Sequence, residues 1–224
     1  MQRKEKMLLL LSPQTGAGVN VIAVNLAIGL TRYDHLVLLG SADQLPVLTT
    51  WLEYPGNYQN TLLGRHPNLK WQQQLEMSEY ENINGKPMDY LVYITGEEEK
   101  TLEVWKKYRP LVLCIVDAGK DNMGGITSID KRFRSYSTEW HGIDLVIPNK
   151  ARPGEWEKSS RLLSDLAQLL GWERLADPIP YCEAIHDLPL GHKSVWDLPM
   201  QYSNRQEAFQ RLVEKVMGLP DHNL

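Results

Sequence analysis

Ser12-Pro13-Gln14-Thr15-Gly16-Ala17-Gly18-Val19-Asn20 joins one apolar run, Met7 to Leu11, to a second, Val21 to Leu30. The first run has the length of a strand and the second that of a helix. A glycine-containing turn between them has the outline of a phosphate-binding loop, because backbone N–H groups at a helix N-terminus can cradle an anion. The full pattern also needs a Lys for the β- and γ-phosphates, followed by a Ser or Thr whose hydroxyl meets Mg²⁺. Here those positions hold Val19 and Asn20. The scaffold is present and its two working side chains are not.

Outward from this stretch, short apolar runs alternate with helix-like ones. Strands are expected at Lys6–Leu11, His35–Gly40, Tyr90–Ile94, Leu111–Val116 and Ile143–Ile147, and helices at Asn20–Arg32, Glu97–Tyr108, Glu155–Leu170 and Asn204–Met217. The strands are continuously apolar rather than alternating, which predicts cover on both faces. The expected fold is α/β: a doubly wound, mainly parallel sheet with helices on both faces, in a single domain spanning residues 1–224. Ala208, Leu212, Val213 and Val216 give the last helix a docking face, with Ser203 or Asn204 as its cap and Gly218 and Pro220 as its stop. Pro46–Asp89 reads as loops and short helices. No internal repeat or low-complexity tract is visible.

Composition narrows the function. The chain has 224 residues, 42% of them apolar, and a net charge of −4 from 24 basic and 28 acidic residues. No basic block follows Arg3-Lys4-Glu5-Lys6, so nucleic acid is not an expected partner. Cys114 and Cys182 sit in apolar surroundings and read as separate buried thiols of a cytoplasmic protein. No run is long enough to cross a membrane, and the tail from Gly218 lacks a basic amphipathic helix, so direct membrane insertion is not expected. The six histidines show no metal-ligand spacing, and no nucleophile motif is present. Of the seven tryptophans, most are expected to be packed, while the charged neighbours of Trp156 place it on an exposed face.

The loop and the Ala23-Val24-Asn25-Leu26-Ala27 helix resemble the ParA/MinD-like partitioning and positioning ATPases, whose loop runs K-G-G-V-G-K-T-T before a helix containing A-x-N-L-A. The resemblance puts that family's signature Lys at Gln14, its glycines at Thr15, Gly16 and Gly18, its Walker Lys at Val19 and its Mg²⁺-binding Thr at Asn20. It extends to Val37-Leu38-Leu39-Gly40-Ser41-Ala42-Asp43, which keeps the second Asp of V-D-x-D. It continues through a Walker B-like strand ending in Asp117-Ala118-Gly119, and through Ile147-Pro148-Asn149-Lys150, where the family has a base-recognising Asn. Ile179-Pro180-Tyr181 through Gly191-His192-Lys193-Ser194-Val195 is similar to its C-terminal stretch.

What the resemblance implies is a P-loop fold whose nucleotide site comprises Gln14, Gly16, Ala17, Gly18, Val19, Asn20 and Asn149, with ATP or ADP and Mg²⁺ as the ligand. Asp43 and Asp117 are its candidate catalytic groups and, with Asn20, its candidate Mg²⁺ ligands. Each has a structural alternative: Asn is a favoured helix cap, and an Asp at a strand end closes a turn. The cap is the preferred role for Asn20. Losing the Walker Lys removes a charge-assisted hydrogen bond of roughly 1.5–3 kcal/mol and transition-state charge with it. Arg3, Lys4 and Lys6 are set aside as replacements because β-strand geometry holds them at the far end.

The implied function is a degenerate member that hydrolyses ATP very weakly or not at all. It would be a homodimeric scaffold for protein partners in bacterial partition or pilus and secretion assembly, as in the atypical CpaE/TadZ-like group. That group carries a further receiver-like domain ahead of the loop strand, which this sequence does not show. An active ATPase with an atypical loop and a nucleotide-free interaction module are the alternatives.

Overall fold

In a computed structural model of the chain, which describes residues 5–53, 61–75, 88–96, 108–136 and 141–220, the apolar runs form one six-stranded parallel sheet. The strands are β1 (Lys6–Leu11), β2 (Val37–Ser41), β3 (Leu69–Gln72), β4 (Tyr90–Ile94), β5 (Leu111–Asp117) and β6 (Leu145–Asn149), in the order β3-β2-β4-β1-β5-β6. Every pairing is parallel. Apart from edge strand β3, the strands are almost wholly buried, which accounts for their unbroken Leu, Val and Ile.

Helices cover both faces. On one lie α1 (Val19–Thr31), the short α2 (Pro46–Leu52) and α3 (Leu62–Arg65), and the C-terminal α6 (Ser203–Met217); on the other lie α4 (Met123–Tyr136) and α5 (Trp156–Leu170). Every residue of α1 from Ile22 to Thr31 is buried, as expected for a helix packed between the sheet and a second helix. Asn25, fully buried within it, donates from Nδ2 to the Val21 carbonyl and accepts from the Val195 N–H at 2.7 Å. Both ends of its amide are therefore satisfied, and the Asn of the A-V-N-L-A run fastens the Ser194–Val195 segment to α1.

The sequence-predicted strands and the helices at α1, α5 and α6 are present with ends shifted by one to two residues. The helix expected over Glu97–Tyr108 lies almost entirely outside the described residues. Two elements were not anticipated, β3 inside the Pro46–Asp89 region and α4. The expected cap of the last helix is also corrected: Tyr202 is its N-cap and no side chain closes it, whereas Gly218 does end it. Lys6 donates to the carbonyls of Met217 and Leu219 at 3.1 and 2.8 Å, closing the C-terminal end of α6 at the end of β1 remote from the loop.

The same end of β1 holds a half-buried carboxyl. Glu5 is pushed up to about 7, first by burial and then by the charge of Asp89. Its native form binds a proton more tightly than the unfolded chain does, so stability falls as pH rises from about 4.5 to 7. Glu5→Gln is expected to stabilise the protein by about 1 kcal/mol at pH 8, a figure reduced for partial solvent exposure, with no gain near pH 4.5. Melting temperatures at the two pH values check this; an equal gain at both contradicts it.

Candidate functional site

The chain leaves β1 at Leu11 and turns through Ser12, whose hydroxyl accepts the Gln14 N–H at 3.2 Å and donates to the Gln14 carbonyl at 2.9 Å. Gly16 and Gly18 both have left-handed backbones, φ 77° and 95°. Gly18 is the N-cap of α1 with no side-chain hydrogen bond, so the expected Asn20 cap is not formed. Asn20 is instead the second residue of the helix, and the positive φ of Gly18 swings the chain into α1 without help from a side chain. The first helical bond runs from the Ile22 N–H to the Gly18 carbonyl. The N–H groups of Val19, Asn20 and Val21 thus have no intrahelical acceptor and form the positive end of the helix.

Side chains from later in the sequence hold this loop. Asn149, at the end of β6, donates its buried Nδ2 to the Ala17 carbonyl at 2.8 Å. A Cβ on Gly18 would lie 2.4 Å from that same Nδ2, so only glycine allows the approach. Asn149 therefore braces the phosphate loop, where the sequence suggested base recognition. Lys150 follows in a left-handed conformation, φ 61°, and its ammonium donates to the Gly16 carbonyl. Among the described residues it has no carboxylate partner. A cation thus stands against the loop after all, supplied by β6 and not by the loop or the N-terminus. From the other side Asn122 donates to Gln14 Oε1, while Gln14 Nε2 is buried with no partner. Gly125 packs α4 against Pro13, where a Cβ would come within 2.6 Å.

The two aspartates stand at the ends of strands that are not neighbours. Between the ends of β2 and β5 lie β4 and β1, three strand spacings or about 14 Å. Asp117 accepts the Gly119 N–H on Oδ1 at 3.0 Å and faces the Lys120 ammonium at 3.9 Å, an Asp closing its own turn. Asp43 is exposed two residues beyond β2, where its N–H donates to the buried Ser41 hydroxyl. The position between them, beside β1 and on the β2 side, belongs to β4. Its end is Thr95, whose N–H donates to the Leu10 carbonyl at 3.2 Å and whose hydroxyl donates to the Gly96 carbonyl. Tyr93, on the same strand, has its hydroxyl pushed up to about 12 by burial and by the charge of Asp43, and donates to the Leu75 carbonyl at 3.0 Å. Among the described residues, those after β4 are Thr95 and Gly96, neither a carboxylate. Sequence reading missed Thr95 because strand order, not strand composition, decides which strand flanks the loop.

Beside Gly18 a cleft of about 40 Å³ opens between Asn149, Lys150 and the Tyr181–Cys182 segment, against the several hundred Å³ typical of ligand sites. Arg152 stacks over the Tyr181 ring at 4.5 Å. The loop, its helix and the strand order together decide the comparison with solved structures. The chain has the fold of the ParA and MinD ATPases. Matching MinD in the MinC:MinD cell division complex of Aquifex aeolicus gives a TM-score of 0.69 at 18% identity, over 96% of this chain and 97% of the other. MinD of Pyrococcus horikoshii OT3, complexed with Mg-ADP, matches at 0.68 and 16%, over 96% and 97%. A ParA family ATPase from Chlorobium tepidum TLS matches at 0.63 and 16%, over 94% and 99%. No protein-family model matches the sequence, and neither does any curated protein. The ParA/MinD fold thus holds across the chain, at identities too low to carry function with it. Among the described residues no helix is long and apolar enough to cross a membrane.

Proposed function

We propose that this protein is a ParA/MinD-type scaffold that binds an adenine nucleotide without hydrolysing it, a pseudo-ATPase. It serves bacterial partition or the assembly of pilus and secretion machinery, as a homodimer that recruits protein partners. The observation that carries the reading is the pair Val19 and Asn20, set by a glycine-led turn at the first two positions of α1. Phosphoryl transfer depends on positioned positive charge and a metal, and neither side chain supplies them as Lys and Thr would.

Binding is retained in this reading because the cradle is. The first-turn N–H groups of α1 are free of helical acceptors, Gln14 Nε2 is a buried donor awaiting an acceptor, and the Lys150 ammonium reaches the loop. The phosphate oxygens of a nucleoside di- or triphosphate, all acceptors, fit that donor set. Its base needs the cleft beside Gly18 to widen, with Tyr181 or Lys150 moving aside. Calorimetric titration with ADP and with ATP and Mg²⁺ tests this. The expected result is saturable binding that Lys150→Ala weakens about tenfold, the loss of one charge-assisted contact. No binding at millimolar nucleotide contradicts it and leaves a nucleotide-free interaction module.

A further inference from the structure

On the face of the sheet opposite α1, a groove of about 400 Å³ runs between α5 and the loop that follows β5. Its size is that of a small-molecule site and ten times that of the cleft beside Gly18. Lys158 and Arg161 stand one helical turn apart on α5, and Lys120 stands across from them on the loop. Leu162 contributes an apolar wall, and Asp121 and Asp165 complete the lining. Among the described residues neither Lys158 nor Arg161 has an ion-pair or hydrogen-bond partner. Lys120 has only the long 3.9 Å approach to Asp117. Asp121 accepts the Met123 N–H at 3.2 Å, and so is partly engaged at the start of α4. The groove is rigidly framed, since the buried Ser159 hydroxyl donates to the Ala118 carbonyl and ties α5 to the loop.

We propose that this groove binds a phosphorylated small molecule. Three cations from two elements converge on one half-enclosed space, an arrangement suited to a tetrahedral dianion. The carboxylates of Asp121 and Asp165 are acceptors for hydroxyl groups on the rest of the ligand. The chain's net charge of −4 works against an extended polyanion such as nucleic acid and leaves the compact ligand favoured. The occupant also has a route to the loop after β5: engaging Lys120 draws its ammonium away from Asp117. The groove opens toward α5, while the same loop reaches the phosphate loop one residue further on, where Asn122 donates to Gln14.

The test uses the whole chain and two probes, inorganic phosphate and ribose 5-phosphate, titrated at constant ionic strength. The expected result is saturable binding of both, tighter for ribose 5-phosphate. Lys158→Gln with Arg161→Gln weakens it at least about tenfold, while the charge-keeping Lys158→Arg with Arg161→Lys stays within about threefold. Both positions are exposed, and unchanged circular dichroism and melting confirm that each variant is folded. The titrations are repeated in the Lys150→Gln background, which weakens binding at the phosphate loop, so that the α5 variants read the groove. Binding lost in Lys150→Gln and retained in the α5 double variant would assign the phosphate to the loop and overturn the proposal. So would no saturable binding of either probe.

Discussion

Val19→Lys combined with Asn20→Thr is expected to raise affinity for Mg-ADP by about 10- to 150-fold. That range corresponds to the roughly 1.5–3 kcal/mol of one charge-assisted hydrogen bond, in a loop already shaped to receive it. The shape argument rests on Gly18, whose left-handed backbone starts α1 and whose missing Cβ lets Asn149 fasten the Ala17 carbonyl. Turnover is expected to stay at background in the same variant. Charge on the phosphates is restored, yet β4 still ends in Thr95, and Asp117 still lies beyond β1 and is engaged with Gly119. Calorimetry and a phosphate-release assay on the double variant separate the two effects. Unchanged affinity would mean that the loop does not present its N–H groups to a phosphate.

Gly29→Val is expected to destabilise the protein by about 3 kcal/mol, lowering the melting temperature by roughly 6–12 °C. A Cβ at Gly29 would meet Val213 Cγ2 at 2.4 Å and Trp196 at 3.1 Å, because α1 and α6 touch through this residue. Gly29→Ala gives the sign of the argument. Helix propensity alone predicts a gain of about 1 kcal/mol for that change, whereas the contact predicts a loss. The loss is expected, with partial recovery in Gly29→Ala/Val213→Ala. A higher melting temperature for Gly29→Ala would show that the two helices are not packed as closely as described. The consequence reaches the functional region, since the N-terminal end of α1 is the phosphate cradle.

Much of this architecture was legible because buried parallel strands announce themselves: Leu8-Leu9-Leu10-Leu11 and Leu111 to Val116 have no polar face to confuse the reading. β3 was not legible, since Leu69-Lys70-Trp71-Gln72 is a half-exposed edge strand with one buried residue. α4 was masked by Gly124-Gly125, poor helix formers, the second of which is dictated by the Pro13 contact rather than by the helix. Its apolar positions Ile126, Ile129 and Phe133 carried the signal that could have found it. At the site, the loop and its missing Lys were plain in the sequence, whereas the hydrogen bond from Asn149 to the Ala17 carbonyl, across 132 positions, left no local pattern to read. The spacing of Asp43 and Asp117 was not legible for a topological reason: each follows or ends an apolar strand, and nothing in either strand tells which neighbour it takes. Lys150 escaped notice because a cation brought by a left-handed residue 134 positions from Gly16 leaves no local pattern.

Phosphate release from ATP by the purified wild-type protein, with and without Mg²⁺, bears most directly on the claim that the cradle persists without its catalytic groups. The account predicts a rate indistinguishable from buffer under both conditions. Magnesium-dependent turnover at about 1 s⁻¹ or more, within the range of working enzymes, would contradict it.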